Sequence, residues 1–171
     1  MKSIELLAPA KDLQAAVAAV DYGADALYIG GARFGARHAA GNSAEEIARA
    51  VEYAHQYGVR VHATLNTLLY DGELAEAERQ ARELIAAGVD ALILADLGAF
   101  TMAGKYAPRC ERHISTQASV VNYQSARAWH QLGAKRVILA RELSLDEIRE
   151  IRDKTPPELE LEVFAHGAMC V

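Results

Sequence analysis

Apolar runs alternate with amphipathic stretches along the chain, and four of the junctions share one phrase. They are "YGADALYIGG" (22–31), "YGVRVHATLN" (57–66), "AGVDALILAD" (87–96) and "LGAKRVILAR" (132–141). Each carries a glycine, at 23, 58, 88 and 133, then a small or β-branched residue, a polar residue and an apolar run. Each follows a helical pattern rich in Ala and Glu. A glycine in the left-handed conformation ends a helix without a Cβ penalty. The apolar run behind it reads as a strand covered on both faces, as in a parallel sheet.

The last interval, 45 residues, leaves room for one more unit, and "RHISTQ" (112–117) fills it as a strand. "IELLAP" (4–9) and "LELEVFAH" (159–166) bring the strands to seven. The intervening helices fall at about 12–21, 43–57, 72–87, 97–106, 122–132 and 144–154. Ser43 with Glu46 and Ser144 with Glu147 fit the capping box, and Asn122 and Asp71 suit N-cap positions. Strict alternation means an α/β fold with a parallel sheet. An open doubly wound sheet would carry a glycine-rich phosphate loop after its first strand, but the chain there reads "APAKDL". The regular unit length suits a (β/α)8 TIM-type barrel instead. Seven strands and six helices fall short of eight units. The expectation is therefore one barrel domain over 1–171, cut off within its seventh unit, with the rest of the barrel and any C-terminal domain downstream. Its unpaired edge strands would favour self-association.

Composition narrows the class. The chain has 171 residues, 51% hydrophobic and 24% charged, with a net charge of −5. That is ordinary for a globular domain and shows no basic footprint for nucleic acid, although RNA contacts are not excluded by it. No apolar run reaches the length of a membrane span, and the N-terminus lacks a signal-peptide pattern. The expectation is a cytoplasmic protein with two free thiols, Cys110 and Cys170.

Chemistry in such a barrel gathers at the C-terminal strand ends. With a period of two, His62, Thr64 and Asn66 share one side of their strand, as do His113, Ser115 and Gln117, and Glu162, Phe164 and His166. These polar sides should face the lumen, with Asn66, Asp96, Gln117, Arg141 and His166 near the mouth. Arg141 and Glu162, on neighbouring strands, suit an ion pair. The same residues also suit a structural polar layer that fixes register. The longest loop, "GGARFGARHAAGNS" (30–43), holds four of the twelve glycines, with Arg33, Arg37 and Asn42 and no acid. Exposed backbone N–H groups and two guanidiniums suit a carboxylate or phosphate, although the spacing matches no nucleotide fingerprint. His166 and Cys170, four apart, are a weak metal signal by themselves.

The runs "ELLAPAKDL", "GADALYIGGARFGAR", "NTLLYDGEL", "STQASVVN", "RVILARELSLDEI" and "LEVFAHGAMC" carry more information together. With "RELSLDEI" followed by E-x-F-x-H-G-A-M-C, the chain resembles the U32 peptidase family, the collagenase-like proteases, over essentially its whole length. The resemblance implies several activities. Some members are implicated in hydroxylating tRNA or rRNA bases, in bacteria with prephenate, a small dicarboxylate, as hydroxyl donor. Others act in quinone hydroxylation. In those lines four cysteines hold an iron–sulfur cluster, and the first matches Cys170; the other three ligands of a 4Fe-4S site have no counterpart in this chain. The leading expectation is an RNA base hydroxylase. Its candidate catalytic residues are Glu162, His166 and Arg141, and Arg33, Arg37, Asn42, Asn66 and Gln117 bind the donor. A peptidase and a non-enzymatic cluster scaffold are the alternatives.

Overall fold

The computed structural model describes residues 4–36, 41–106 and 109–167. Arg37 and Cys170 lie outside these residues. The chain alternates β1 (Leu7–Ala10), α1 (Leu13–Asp21), β2 (Ala26–Gly30), α2 (Ala44–Gln56), β3 (Arg60–Leu65), α3 (Leu74–Ala86) and β4 (Ala91–Leu94). It continues through α4 (Leu97–Ala103), β5 (Glu111–Ile114), α5 (Tyr123–Gln131), β6 (Arg136–Ile138), α6 (Leu145–Lys154) and β7 (Glu160–Glu162). All seven strands pair in parallel and in sequence order, β1 to β7. The sheet curls into an incomplete barrel. Glu5, just before β1, meets Arg136 of β6 at 2.6 Å, a contact a flat sheet of this order would forbid.

The local causes are those of the chain's own pattern. Gly23, Gly58, Gly88 and Gly133 all have positive φ, between 72° and 102°, and each turns a helix end into the next strand. Both capping boxes form, Ser43–Glu46 on α2 and Ser144–Glu147 on α6, and Asn122 caps α5. Asp71 instead opens a 3-10 turn (Asp71–Glu73) ahead of α3. β1 starts at Leu7, later than the pattern suggested, because its ladder begins where Leu7 meets Ala26. The "RHISTQ" strand stops at Ile114, since Thr116–Ala118 tightens into another 3-10 turn.

The helix-facing side of the sheet is built from Leu27, Ile29, Val61, Leu65, Leu92, Leu94, Ile114, Val137 and Leu139, all buried. Against them α2 sets Ile47, Ala50, Val51 and Ala54, α3 sets Ala77, Ala81 and Leu84, and α4 sets Ala99 and Phe100. The many alanines let helices lie close to the strands. Each fully buried Leu or Ile stabilises the layer by roughly 1.5–3 kcal/mol. The opposite face lines the lumen and carries the buried polar strand residues His62, His113 and Arg136 among apolar ones such as Ile93 and Ile138. Among the described residues, no helix is long and apolar enough to cross a membrane.

Candidate active site

The lumen has a charged floor. Arg136, almost fully buried, donates from Nε and Nη2 to Glu160 Oε2 at 3.0 and 2.7 Å. Its Nη1 donates to Glu5 at 2.6 Å and to Glu162 at 3.1 Å. Burial works against the guanidinium charge, but the carboxylates prevail and raise its pKa. The same burial pushes Glu162 above the usual carboxylate range despite Arg136 beside it. A second network joins Arg60 Nη2 to Glu111 at 2.7 Å, and His113 Nε2–H donates to the same carboxylate oxygen at 3.0 Å. The His113 hydrogen bond and then that from Arg60 hold Glu111 down at about 2, against the opposing effect of burial.

Between these networks stand two imidazoles. His62 and His113 are both 0% exposed, with ring centroids 4.7 Å apart and planes at 83°. Neither His62 nitrogen, nor His113 Nδ1, has a hydrogen-bond partner among the described residues. Burial, then the neighbouring His113, lowers His62 to about 2, and burial also lowers His113. Both rings are neutral at physiological pH.

Above the floor, loops knit the mouth together. Phe34 sits buried at φ 58°, a conformation costly for a bulky side chain. Its carbonyl accepts the amides of Asn66 and Thr67 at 2.8 and 3.2 Å. The Asn66 carboxamide accepts the Ala36 amide at 2.9 Å and donates to Ser115 Oγ at 3.0 Å. One side chain thus fastens the β2–α2 loop to the ends of β3 and β5. Asn42 donates to the carbonyls of Lys11 and Gly30, both at 2.9 Å, and closes the other end of the same loop. Gln80 of α3 donates to Arg33 O at 2.6 Å. It passes so near Gly31 that a Cβ there would lie 2.7 Å from Gln80 Nε2, so a side chain at this position would displace the Gln80 carboxamide from Arg33 O. Arg33 itself pairs with Glu76 at 2.6 Å.

The structure therefore distributes the expected residues unevenly. His62, Thr64, Asn66, His113, Ser115 and Glu162 line the lumen as the period of two suggested. Gln117 leaves the strand pattern and is exposed in its 3-10 turn, where its amide donates to Ser115 Oγ at 3.2 Å. Asp96 caps α4 by accepting the Ala99 amide at 2.8 Å. The Arg141–Glu162 ion pair does not form. Arg136 pairs in register with Glu160, and Ile138 with Glu162, so Arg136 is the cation that faces Glu162. Arg141 has the parity of core residues Val137 and Leu139 and sits in a turn beyond β6.

Arg141 lies instead over the ring of Phe164, its guanidinium carbon 3.9 Å from the centroid. Arg141, Leu143, Ile148, Val163, Phe164 and His166 line a pocket of about 320 Å³ between the ends of β6 and β7 and the start of α6. Guanidinium nitrogens Nε and Nη1 are enclosed and have no hydrogen-bond partner among the described residues. His166 is exposed at the rim. Arg136 and Phe164 were missed in the sequence. A strand that begins on an arginine offered a signal for the first; parity placed the second on the lumen side, but nothing in the sequence singled out its ring.

The described residues do not fit an iron–sulfur cluster. None of their His, Cys, Asp and Glu gather in threes around a metal-sized site. Cys110 is buried beside Arg60 and Asp90 at the N-terminal end of the strands, far along them from His166.

Comparison with known proteins places this architecture. The family model for peptidase family U32 matches residues 11–171. The chain is 45% identical over 168 residues to the 23S rRNA 5-hydroxycytidine synthase of Escherichia coli K12, covering 98% of this chain and 25% of that protein. It is 40% identical over 172 residues to a tRNA hydroxylation protein of Helicobacter pylori J99, covering 99% and 40%. An uncharacterized protease of Methanocaldococcus jannaschii is 41% identical over 175 residues, covering 100% and 42%. The chain thus spans less than half the length of these relatives. Among solved structures, a U32 peptidase superposes with a TM-score of 0.74 at 17% identity, over 95% of this chain and 70% of that one. A 2,3-dimethylmalate lyase superposes at 0.64 and 18% identity, over 98% and 70%, a likeness of fold.

Proposed function

The chain belongs to peptidase family U32, and from that membership we propose that it works in hydroxylation of a tRNA or rRNA base in the cytoplasm, with a small dicarboxylate such as prephenate as hydroxyl donor. The observation that carries this reading is the similarity, at 40% identity and above, to one rRNA and one tRNA hydroxylation protein across nearly the whole chain. The lumen suits it. Arg141 and His166 stand at the mouth, and Glu162, with its raised proton affinity, lies deeper, at the end of β7. Arg33, Asn42 and Asn66 are already bonded within the protein, so they act by shaping the loop that flanks the donor; Gln117 is exposed in the turn after β5. Deleting the gene and comparing nucleosides from tRNA and rRNA by mass spectrometry tests the reading. A missing 5-hydroxypyrimidine is expected, and unchanged profiles would remove it.

The name of the Methanocaldococcus relative favours a second reading, peptide-bond hydrolysis. The described mouth residues lend it little support. Ser115 Oγ accepts from Asn66 and from the Gln117 amide, and no imidazole is bonded to it. Gelatin cleavage by the purified protein would favour this reading; no cleavage is the expected result.

A further inference from the structure

We propose that Arg141 is the anion anchor of the mouth, that Phe164 is its positioning residue, and that the pocket beside them takes a carboxylate borne on an apolar skeleton. This rests on the hydroxylation reading only for the identity of its natural ligand.

Three observations converge. First, Arg141 differs from the other described arginine of the mouth. Arg33 is matched by Glu76 at 2.6 Å, whereas Arg141 has no carboxylate within ion-pair distance among the described residues. Second, its guanidinium is held. The Phe164 ring lies under one face at 3.9 Å. Gly167 closes from the side, where a Cβ would come within 3.6 Å of Phe164 Cδ1 and 3.9 Å of Arg141 Nη2. A planar fork fixed in this way is ready for two-pronged bonding to a carboxylate. Third, the lining is mixed, with Leu143, Ile148 and Val163 adding apolar surface beside Arg141 and His166.

A guanidinium with two enclosed nitrogens that no described residue meets is costly, and a bound anion offsets that cost. The apolar part of the lining offers a hydrocarbon carrier contacts that a bare inorganic anion or an RNA phosphate cannot use. They suit a hydrocarbon ring or chain with one acidic end in the pocket. Phe164 has the lumen parity of Glu162, so it also marks where the acid meets the lumen.

Isothermal titration of the purified protein with prephenate, and separately with phenylacetate, tests this. Phenylacetate carries one carboxylate on an apolar ring and reports on the pocket whatever the reaction. The parent should bind both. Arg141→Lys, which keeps the charge but loses the fork, should weaken both at least tenfold. Phe164→Leu should weaken them roughly three- to tenfold, and Phe164→Tyr, which restores the aromatic face, should return affinity to within about twofold of the parent. Arg127→Gln, an exposed change on α5, controls for loss of one positive charge and should have no effect. The proposal is overturned if the parent binds neither acid, if Arg141→Lys binds as the parent does, or if the Leu and Tyr variants are weakened alike. It is equally overturned if Arg141→Lys lowers affinity for RNA alone, which would mark a phosphate contact. Loss of phenylacetate binding in Arg141→Lys, together with unchanged RNA modification after gene deletion, would keep the anchor and dismiss the hydroxylation reading. The reverse pattern would dismiss the anchor and keep the reaction.

Discussion

Acidification from pH 7 to pH 5 is expected to weaken the fold by about 2 kcal/mol through the enclosed imidazole of His62. His62 is held at about 2 in the folded chain, by burial first and the adjacent His113 second. In the unfolded chain it titrates near 6.5. A group whose pKa is depressed by folding stabilises above its unfolded value, and that stabilisation is lost as the pH falls. Over this interval the unfolded chain takes up nearly a full proton at His62 that the folded chain refuses, which amounts to about 2 kcal/mol. His113, also depressed by burial, acts in the same direction. Glu111, held at about 2, adds its own loss only below its unfolded value of about 4.5. Glu162 works the other way, because its pKa is raised, and subtracts from the effect toward the acid end. Urea unfolding followed by far-ultraviolet circular dichroism at pH 7, 6 and 5 measures the slope. His62→Leu, similar in volume and unable to ionise, should reduce it by about 2 kcal/mol over this interval. Equal stability of the parent at pH 7 and 5, or an unchanged slope in His62→Leu, would refute the assignment of neutral, enclosed rings.

Arg136→Met should destabilise by about 3–5 kcal/mol in the same urea assay, since it leaves three carboxylates around one vacated position; adding Glu162→Gln should recover more than about 1 kcal/mol, and simple additivity of the two changes would argue against their coupling. Asn66→Ala should cost about 1–2 kcal/mol, and hydrogen exchange at the Ala36 amide should quicken; unchanged protection there would mean that the loop is held by other bonds. Cys110, buried and with its thiol pushed up to about 12 by burial and then by Asp90 and Glu111, should resist aromatic disulfide reagents until urea unfolds the chain. Rapid labelling of Cys110 in the native state would contradict its placement.

The legible parts of this molecule are those governed by neighbours in sequence. Gly23, Gly58, Gly88 and Gly133 announce helix ends because a positive φ excludes most other residues. Ser43 and Ser144 announce helix starts because the partner glutamate lies three residues away. The lumen side of β3, β5 and β7 was readable because polar residues recur with a period of two. β6 defeated the same reading. Its residues from Val137 to Ala140 are apolar on both sides, so parity alone gave no direction, and only its register with Glu160 turns Arg136 inward. Arg33 looked like a free cation because Glu76, its partner, is 43 residues distant and on another element. Phe164 was placed on the lumen side by its parity with Glu162, but its contact with a guanidinium follows only from the strand order that brings Arg141 over it.

The bond from Glu5 to Arg136 has a kinetic meaning. Every strand pair joins consecutive strands, so each unit can dock on the one made just before it, and the sheet can grow by accretion as the chain is synthesised. Glu5 and Arg136 are 131 residues apart, and their meeting requires that five strands have already assembled between them with the correct curvature. That bridge behaves as a clasp: it gains little for a partly assembled chain and locks the bend once the sixth strand arrives.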